Sequence, residues 1–225
     1  MNEVYELAFY IESVTYENSK NRGEGIFPLM KQYFGAPPNV DNDRNKNRGD
    51  GRTNILITDI QDGLDNTTEY IPGYFNFEDV DKSGIVSNKM DLIYLDSKPG
   101  IYYKGFRDAK RILPTVAHEF QHLIHWNYDP DECSFMNESM SILAEFFCGF
   151  KVDLPEACFT NTNIPLFDWS DENHKINESR AALFGIYLRE QCGDDFIKYL
   201  IAAPYSGIKG IDSALMNAGI NQYSF

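Results

Sequence analysis

Pro114-Thr115-Val116-Ala117-His118-Glu119-Phe120-Gln121-His122-Leu123-Ile124-His125-Trp126 holds three of the chain's four histidines. Val116, Ala117, Phe120, Leu123 and Ile124 recur at helical spacing, so the segment reads as a helix buried on most of its sides. Pro114 suits the first turn of a helix and not its interior, which places the start near Leu113. His118 and His122 are four residues apart on one face, with Cβ atoms about 6 Å apart, so two imidazoles can converge on one cation. Glu119 is turned about 100° from His118, where it is no co-ligand but can reach a water held by that cation. With histidine this scarce, an H-E-x-x-H match inside an apolar helix points to metal chemistry.

A catalytic zinc takes three protein ligands and keeps a fourth position open. The pattern H-E-x-x-H-x-x-G-x-x-H is excluded, because His125 and Tyr128 occupy its glycine and last-histidine places. The other arrangement draws a glutamate from a second helix. Ser134 to Phe150 has helical periodicity and follows a reversal at residues 127–131, which brings Glu138 back beside His118 and His122. Glu145, seven residues on, shares nearly the same face and is expected to hydrogen-bond the outer nitrogen of a ligand histidine. Three ligands from one helix make poor tetrahedral geometry, so His125 is expected in the cleft wall or against a ligand. His174 falls in a polar stretch and is expected on the surface or as a mobile electrophile.

Working outward, 225 residues suggest one domain, and a 43 % apolar fraction is enough for a core. Acidic residues outnumber basic ones 34 to 20, and the net charge of -14 argues against nucleic acid as a partner. No run of about 18 apolar residues exists, so no membrane insertion is expected. The start of the chain lacks the pattern of a signal peptide, consistent with an intracellular protein or with a mature or trimmed chain. Cys133, Cys148, Cys158 and Cys192 show no CxxC spacing, which disfavours a cysteine zinc site and leaves their pairing open.

The pattern predicts helices over residues 1 to about 16, 26–34, 109–126, 134–150, 179–192 and 194–201, with Gly193 ending one helix and Asp194 capping the next. Residues 41–51 read as a loop, 54–60 as a buried strand, 70–77 as a weaker strand and 90–96 as a strand at a sheet edge. Strands first and helices afterwards predict an α+β domain: a sheet subdomain over 1–130 that ends in the active helix, and a helical subdomain over 131–225. The 90–96 strand places Asp91, Leu92, Ile93 and Tyr94 as a candidate edge for pairing with an extended peptide. Two oxygen-rich loops raise calcium (Ca2+): Asp41-x-Asp43-x-Asn45, and the preferred Asp79-Val80-Asp81-Lys82-Ser83-Gly84, with Asp79, Asp81 and Ser83 as ligands, although Met90 stands where a closing glutamate would be needed.

His118 to His122 followed by Asn137-Glu138-x-x-x-x-x-x-Glu145 resembles the gluzincin zinc metallopeptidases, and within them the hyicolysin-like neutral metallopeptidases, whose active helix reads much like H-E-F-Q-H-L-I. Tyr33-Phe34-Gly35-x-Pro37-Pro38-Asn39-Val40-Asp41, Asn54 to Ile60, Gly73-Tyr74-Phe75 and Ser87-Asn88-x-Met90-Asp91-x-Ile93-Tyr94 are also similar, so the likeness runs from about residue 30 to 200. It implies a gluzincin-like fold, Zn2+ held by His118, His122 and Glu138, Glu119 as catalytic base, a protein or peptide substrate, and export to the cell surface or beyond; a monomer is expected. Ser139 replaces the family's usual glycine after Asn-Glu. Glu178-Ser179-Arg180 stands where such enzymes often carry a tyrosine, so the group that stabilises the transition state is not transferred. The rival expectation is an inactive metallopeptidase-like binding or adhesion module with zinc as a structural clip.

Overall fold

Leu113 is the hinge between a short 3-10 turn, Ala109–Ile112, and the long helix that organises the molecule. Asp108 caps that turn by accepting from the Lys110 N–H at 3.0 Å, and Pro114 falls in the first turn of the helix. The computed structural model describes residues 3–40, 51–62, 70–81, 83–152, 154, 157–160, 163–169 and 174–220. The first oxygen-rich loop, at 41–51, lies outside them except for Gly51.

The N-terminal half holds helices α1 (Glu3–Glu12) and α2 (Ile26–Tyr33), which pack on each other and on the long helix, and a sheet of β1 (Asn54–Thr58), β2 (Gly73–Phe75) and β3 (Leu92–Asp96). A small hairpin, β4 (Tyr102–Tyr103) and β5 (Phe106–Arg107), then leads into α3 (Leu113–Tyr128). The rest is helical: α4 (Ser134–Phe147), α5 (Ala157–Thr160), α6 (His174–Cys192), α7 (Phe196–Ile201) and α8 (Ile208–Asn217). A small sheet followed by a mainly helical half matches the α+β expectation. Among the described residues, no helix is long and apolar enough to cross a membrane.

Strand order is β1-β3-β2, with β1 parallel and β2 antiparallel to β3. This corrects two expectations. β3 is the central strand, so Asp91, Leu92, Ile93 and Tyr94 are not a free edge. The two carboxylates that suggested an edge are buried anchors: Asp91 accepts from the N–H groups of Asn39 at 2.9 Å and Val40 at 2.8 Å, and Asp96 from those of Ile60 at 3.0 Å and Gly100 at 2.9 Å. A buried carboxylate that collects backbone N–H groups stabilises a strand end as well as exposure would. β1, expected to be buried, is an edge strand whose Asn54, Leu56 and Thr58 face solvent.

α3 runs through the middle of the core, and Val116, Ala117, Phe120, Leu123 and Ile124 are wholly buried. Each large apolar side chain so buried contributes about 1.5–3 kcal/mol over exposure. Phe27 of α2 stacks on Phe120, and α4 packs on α3 on one side and on α6 on the other. The α4–α6 contact depends on Gly185, where an added Cβ would come within 2.6 Å of the Ser139 hydroxyl. Ser139 is fully buried and donates to the Ala181 carbonyl at 2.7 Å, so its hydroxyl is built into the helix packing. Asp194 does not cap α7, whose cap is Asp195. It pairs instead with Lys20 at 2.6 Å and Arg189 at 2.7 Å. Cys133, Cys148 and Cys192 carry free thiols.

Candidate active site

α4 returns antiparallel along α3, as the cross-helix contacts show: His122 meets Asn137, Gln121 meets Ser141, and His118 meets Glu145. The reversal is fixed at residues 129–133. Asp129 accepts from the Asp131 N–H, and the Glu132 carboxylate gathers the N–H groups of Cys133 and Gly207 and the Ser206 hydroxyl. α4 is thereby held in register with α3, and the register decides which α4 side chains face the two histidines.

Glu138 is the residue it puts there. Its carboxylate oxygens lie 3.1 Å from His118 Nε2 and 3.5 Å from His122 Nε2. Candidate ligand atoms of these three residues all lie within 4.8 Å of one another. Four ligands at about 2.05 Å around a tetrahedral zinc are about 3.3 Å apart, and the two carboxylate–imidazole spacings of 3.1 and 3.5 Å are close to that value. The donor set, two imidazole nitrogens and one carboxylate, also suits zinc.

The far nitrogens of both rings are occupied. His118 Nδ1 lies 2.8 Å from Glu145 Oε1, and His122 Nδ1 lies 3.1 Å from Asn137 Oδ1 and 3.0 Å from the Ser141 hydroxyl. A proton held on Nδ1 leaves each Nε2 lone pair facing the shared point. Burial disfavours a charge on His118, yet hydrogen bonds to Glu138 and Glu145 hold its pKa well above the usual histidine value. Carboxylates on both sides of one ring favour a positive charge at Nε2, which a cation supplies as well as a proton does.

Glu119 is 7 % exposed and lines the same cleft. Burial raises its pKa; the neighbouring His118 and His122 oppose the rise, Glu138 adds to it, and a hydrogen bond from the Phe75 backbone lowers it. The cleft has a volume of about 590 Å³ and is walled by β2 on one side and by α3, α4 and Glu178 of α6 on the others. Tyr70 also lines it, but its hydroxyl contacts Asp96 at 3.2 Å. A second hollow of about 430 Å³, lined by His118, Glu145, Ile142 and Ser179, adjoins the first.

The structure therefore brings together His118, Glu119, His122, Glu138 and Glu145 in one place. His125 is not in the cleft wall. It is 2 % exposed, and burial first, then His122, lowers its pKa to about 3. Asp79, Asp81 and Ser83 do not converge on a cation site. Asp79 turns inward to accept from Asn88 and the Tyr94 hydroxyl, and Asp81 folds back onto Ser83. His174 opens α6 and is not in a loop. The sequence assigns no role to Asn137, beyond its place in the Asn-Glu motif, or to Ser141; the i, i+4 polar spacing Asn137-x-x-x-Ser141 on the helix expected to face the histidines is a usable signal. The strand that walls the cleft is β2, the weakest of the strand candidates.

Fold and site together define a two-helix centre with the donor set of a divalent metal, set in an open cleft. The chain is 28 % identical over 223 residues to the neutral metalloprotease ShpI of Staphylococcus hyicus, a match covering 90 % of this chain and 49 % of that protein. It thus spans about half the length of the curated relative it matches. No family model matches the chain.

Proposed function

We propose that this chain is a zinc-dependent endopeptidase unit of gluzincin type, with His118, His122 and Glu138 as metal ligands and Glu119 as general base. The observation that carries this reading is the convergence of two Nε2 atoms and one carboxylate beside a buried glutamate, at the floor of a cleft bordered by a strand edge. Similarity to a metalloprotease over most of the chain supports it.

When bound there, zinc supplies Lewis acidity, which brings the pKa of a water toward 7 and polarises a carbonyl. Glu145 and Asn137 orient the two histidines from behind. Glu119 accepts a proton from the attacking water and returns it to the leaving amine, and its raised proton affinity suits the second half of that exchange. The cleft, open to solvent above Glu119, admits an extended chain.

β2 supplies the edge that β3 cannot. The Asp96 N–H donates to the Pro72 carbonyl at 2.8 Å, with no N–H on Pro72 to return the bond, and this puts 72/96 and 74/94 at the hydrogen-bonded positions of the ladder with β3. By the alternation of an antiparallel ladder, Gly73 and Phe75 direct their N–H and C=O groups away from β3. A substrate strand pairs with the Gly73 N–H and C=O and the Phe75 C=O whatever its side chains. Glu119 reaches the Phe75 N–H, which fixes the base relative to the bound backbone.

The test is cleavage of denatured casein by the purified chain, with metal analysis alongside. Chelator-sensitive cleavage with one equivalent of zinc supports the reading. One equivalent of zinc whose removal costs stability, with no cleavage, favours a structural clip in a binding module.

A further inference from the structure

Tyr74, at the centre of β2, lines the cleft and is 40 % exposed. Its ring stacks on Tyr94 of β3, with centroids 4.4 Å apart and planes within 11°. Tyr94 is itself held. Its hydroxyl donates to Asp79 Oδ2 at 2.7 Å and accepts from Asn88 Nδ2 at 3.1 Å, while Asn88 also donates to Asp79 Oδ1. Asp79 is 2 % exposed, so this anchor is buried. Residues 74, 94 and 56 are in register across the three strands, which puts the stack on the sheet face opposite the one that Gly73 presses against Thr115.

A ring backed by a second ring and pinned at its far end presents a flat apolar plate with little freedom to tilt. Exposed tyrosine is ordinary on a protein surface, but Tyr74, lining the cleft and backed by a pinned Tyr94, is placed where a strand paired with β2 must lay every second side chain. Ring stacking adds roughly 0.5–1.5 kcal/mol beyond area burial, about two- to tenfold in affinity. A Tyr-Tyr plate therefore favours an aromatic or long apolar side chain over a small one.

We propose that Tyr74 is a specificity-determining residue, selecting substrates with an aromatic or long apolar side chain at the one position that lies over its ring, with Tyr94, Asn88 and Asp79 as positioning residues. This rests on the peptidase reading. The test walks a single Phe through an Ala-rich fluorogenic peptide series and measures kcat and KM for each member with the zinc-loaded chain. The expected result is a two- to tenfold gain in kcat/KM at one position, expressed mainly in KM. Tyr74→Ala removes that gain and Tyr74→Phe keeps it. Tyr94→Leu, which takes away the backing ring, reduces it. Should Tyr74→Ala fold poorly, Tyr74→Leu and Tyr74→Thr are compared at matched zinc content. The same position-specific gain in a folded Tyr74→Ala or Tyr74→Thr chain, with only the thermal midpoint lowered, overturns the proposal and leaves the stack as sheet packing. A zinc-loaded wild-type chain that cleaves no member of the series overturns the peptidase reading instead, and this inference with it.

Discussion

Glu145 Oε1 lies 2.8 Å from His118 Nδ1, across the α3–α4 contact and 27 residues away in the chain. That contact orients one ring of the candidate metal centre, just as Asn137 orients the other.

On the proposed reading, the two glutamates of α4 have separable roles. Glu138→Ala removes a ligand and should lower zinc affinity by orders of magnitude, whereas Glu145→Ala removes only the partner behind His118 and should cost about 10- to 100-fold. Competition titration with a chromophoric chelator measures both. If Glu145→Ala empties the site while Glu138→Ala keeps it, the two roles are exchanged.

Gly73 lets β2 lie close to the active helix. An added Cβ would come within 2.6 Å of the Tyr94 carbonyl and 2.7 Å of Thr115 Cγ2. Gly73→Ala should cost about 1–3 kcal/mol by overpacking and push the edge strand off α3. Zinc content should survive and peptide cleavage should fall. Unchanged kinetics in that variant would show that β2 does not hold substrate.

Much of this was legible in the sequence, and the reasons are specific. His118, Glu119 and His122 are local: helical spacing alone sets their geometry. Glu138 and Glu145 followed from a short reversal between two periodic segments, which leaves few ways to pack. Strand order was misread because Asp91 and Asp96 look like exposed charges in a one-dimensional pattern, while their backbone partners at Val40 and Ile60 are set by tertiary structure. The same blindness made Asp79 look like a calcium ligand, when its partners are Asn88 and Tyr94. α8, with Ile211, Ala214 and Leu215 buried, was missed because Gly207 and Gly210 interrupt its start.

The α4–α6 contact gives a packing test. Gly185→Ala brings a Cβ to 2.6 Å from the Ser139 hydroxyl and should destabilise by about 1–3 kcal/mol. Ser139→Gly loses the bond to the Ala181 carbonyl, worth about 1 kcal/mol, plus some helix propensity. In the double variant the contact with the hydroxyl is gone and only the residue-139 carbonyl, 2.9 Å from the added Cβ, still presses on it, so its cost should be smaller than the sum of the two. Additive losses by chemical denaturation would place the two residues out of contact.

Asp194 governs an acid-sensitive contact. Burial raises its pKa, but hydrogen bonds from Lys20 and Arg189 outweigh this and hold it below the usual carboxylate value. A carboxyl with a depressed folded pKa contributes stability that is complete above its unfolded value, near 4, and is lost as pH falls through the folded one. Asp194→Asn should therefore lower the thermal midpoint at neutral pH, and the gap to wild type should close below about pH 4. A gap that stays constant down to acid denaturation would contradict this.

The central claim, a metal centre served by Glu119, is tested most directly by the turnover of zinc-loaded Glu119→Gln on denatured casein. The variant keeps the shape of the side chain and removes its basicity, so one equivalent of zinc should remain while cleavage falls about 100- to 10,000-fold. Turnover within tenfold of wild type, at equal zinc content, would contradict the assignment of Glu119 as the base.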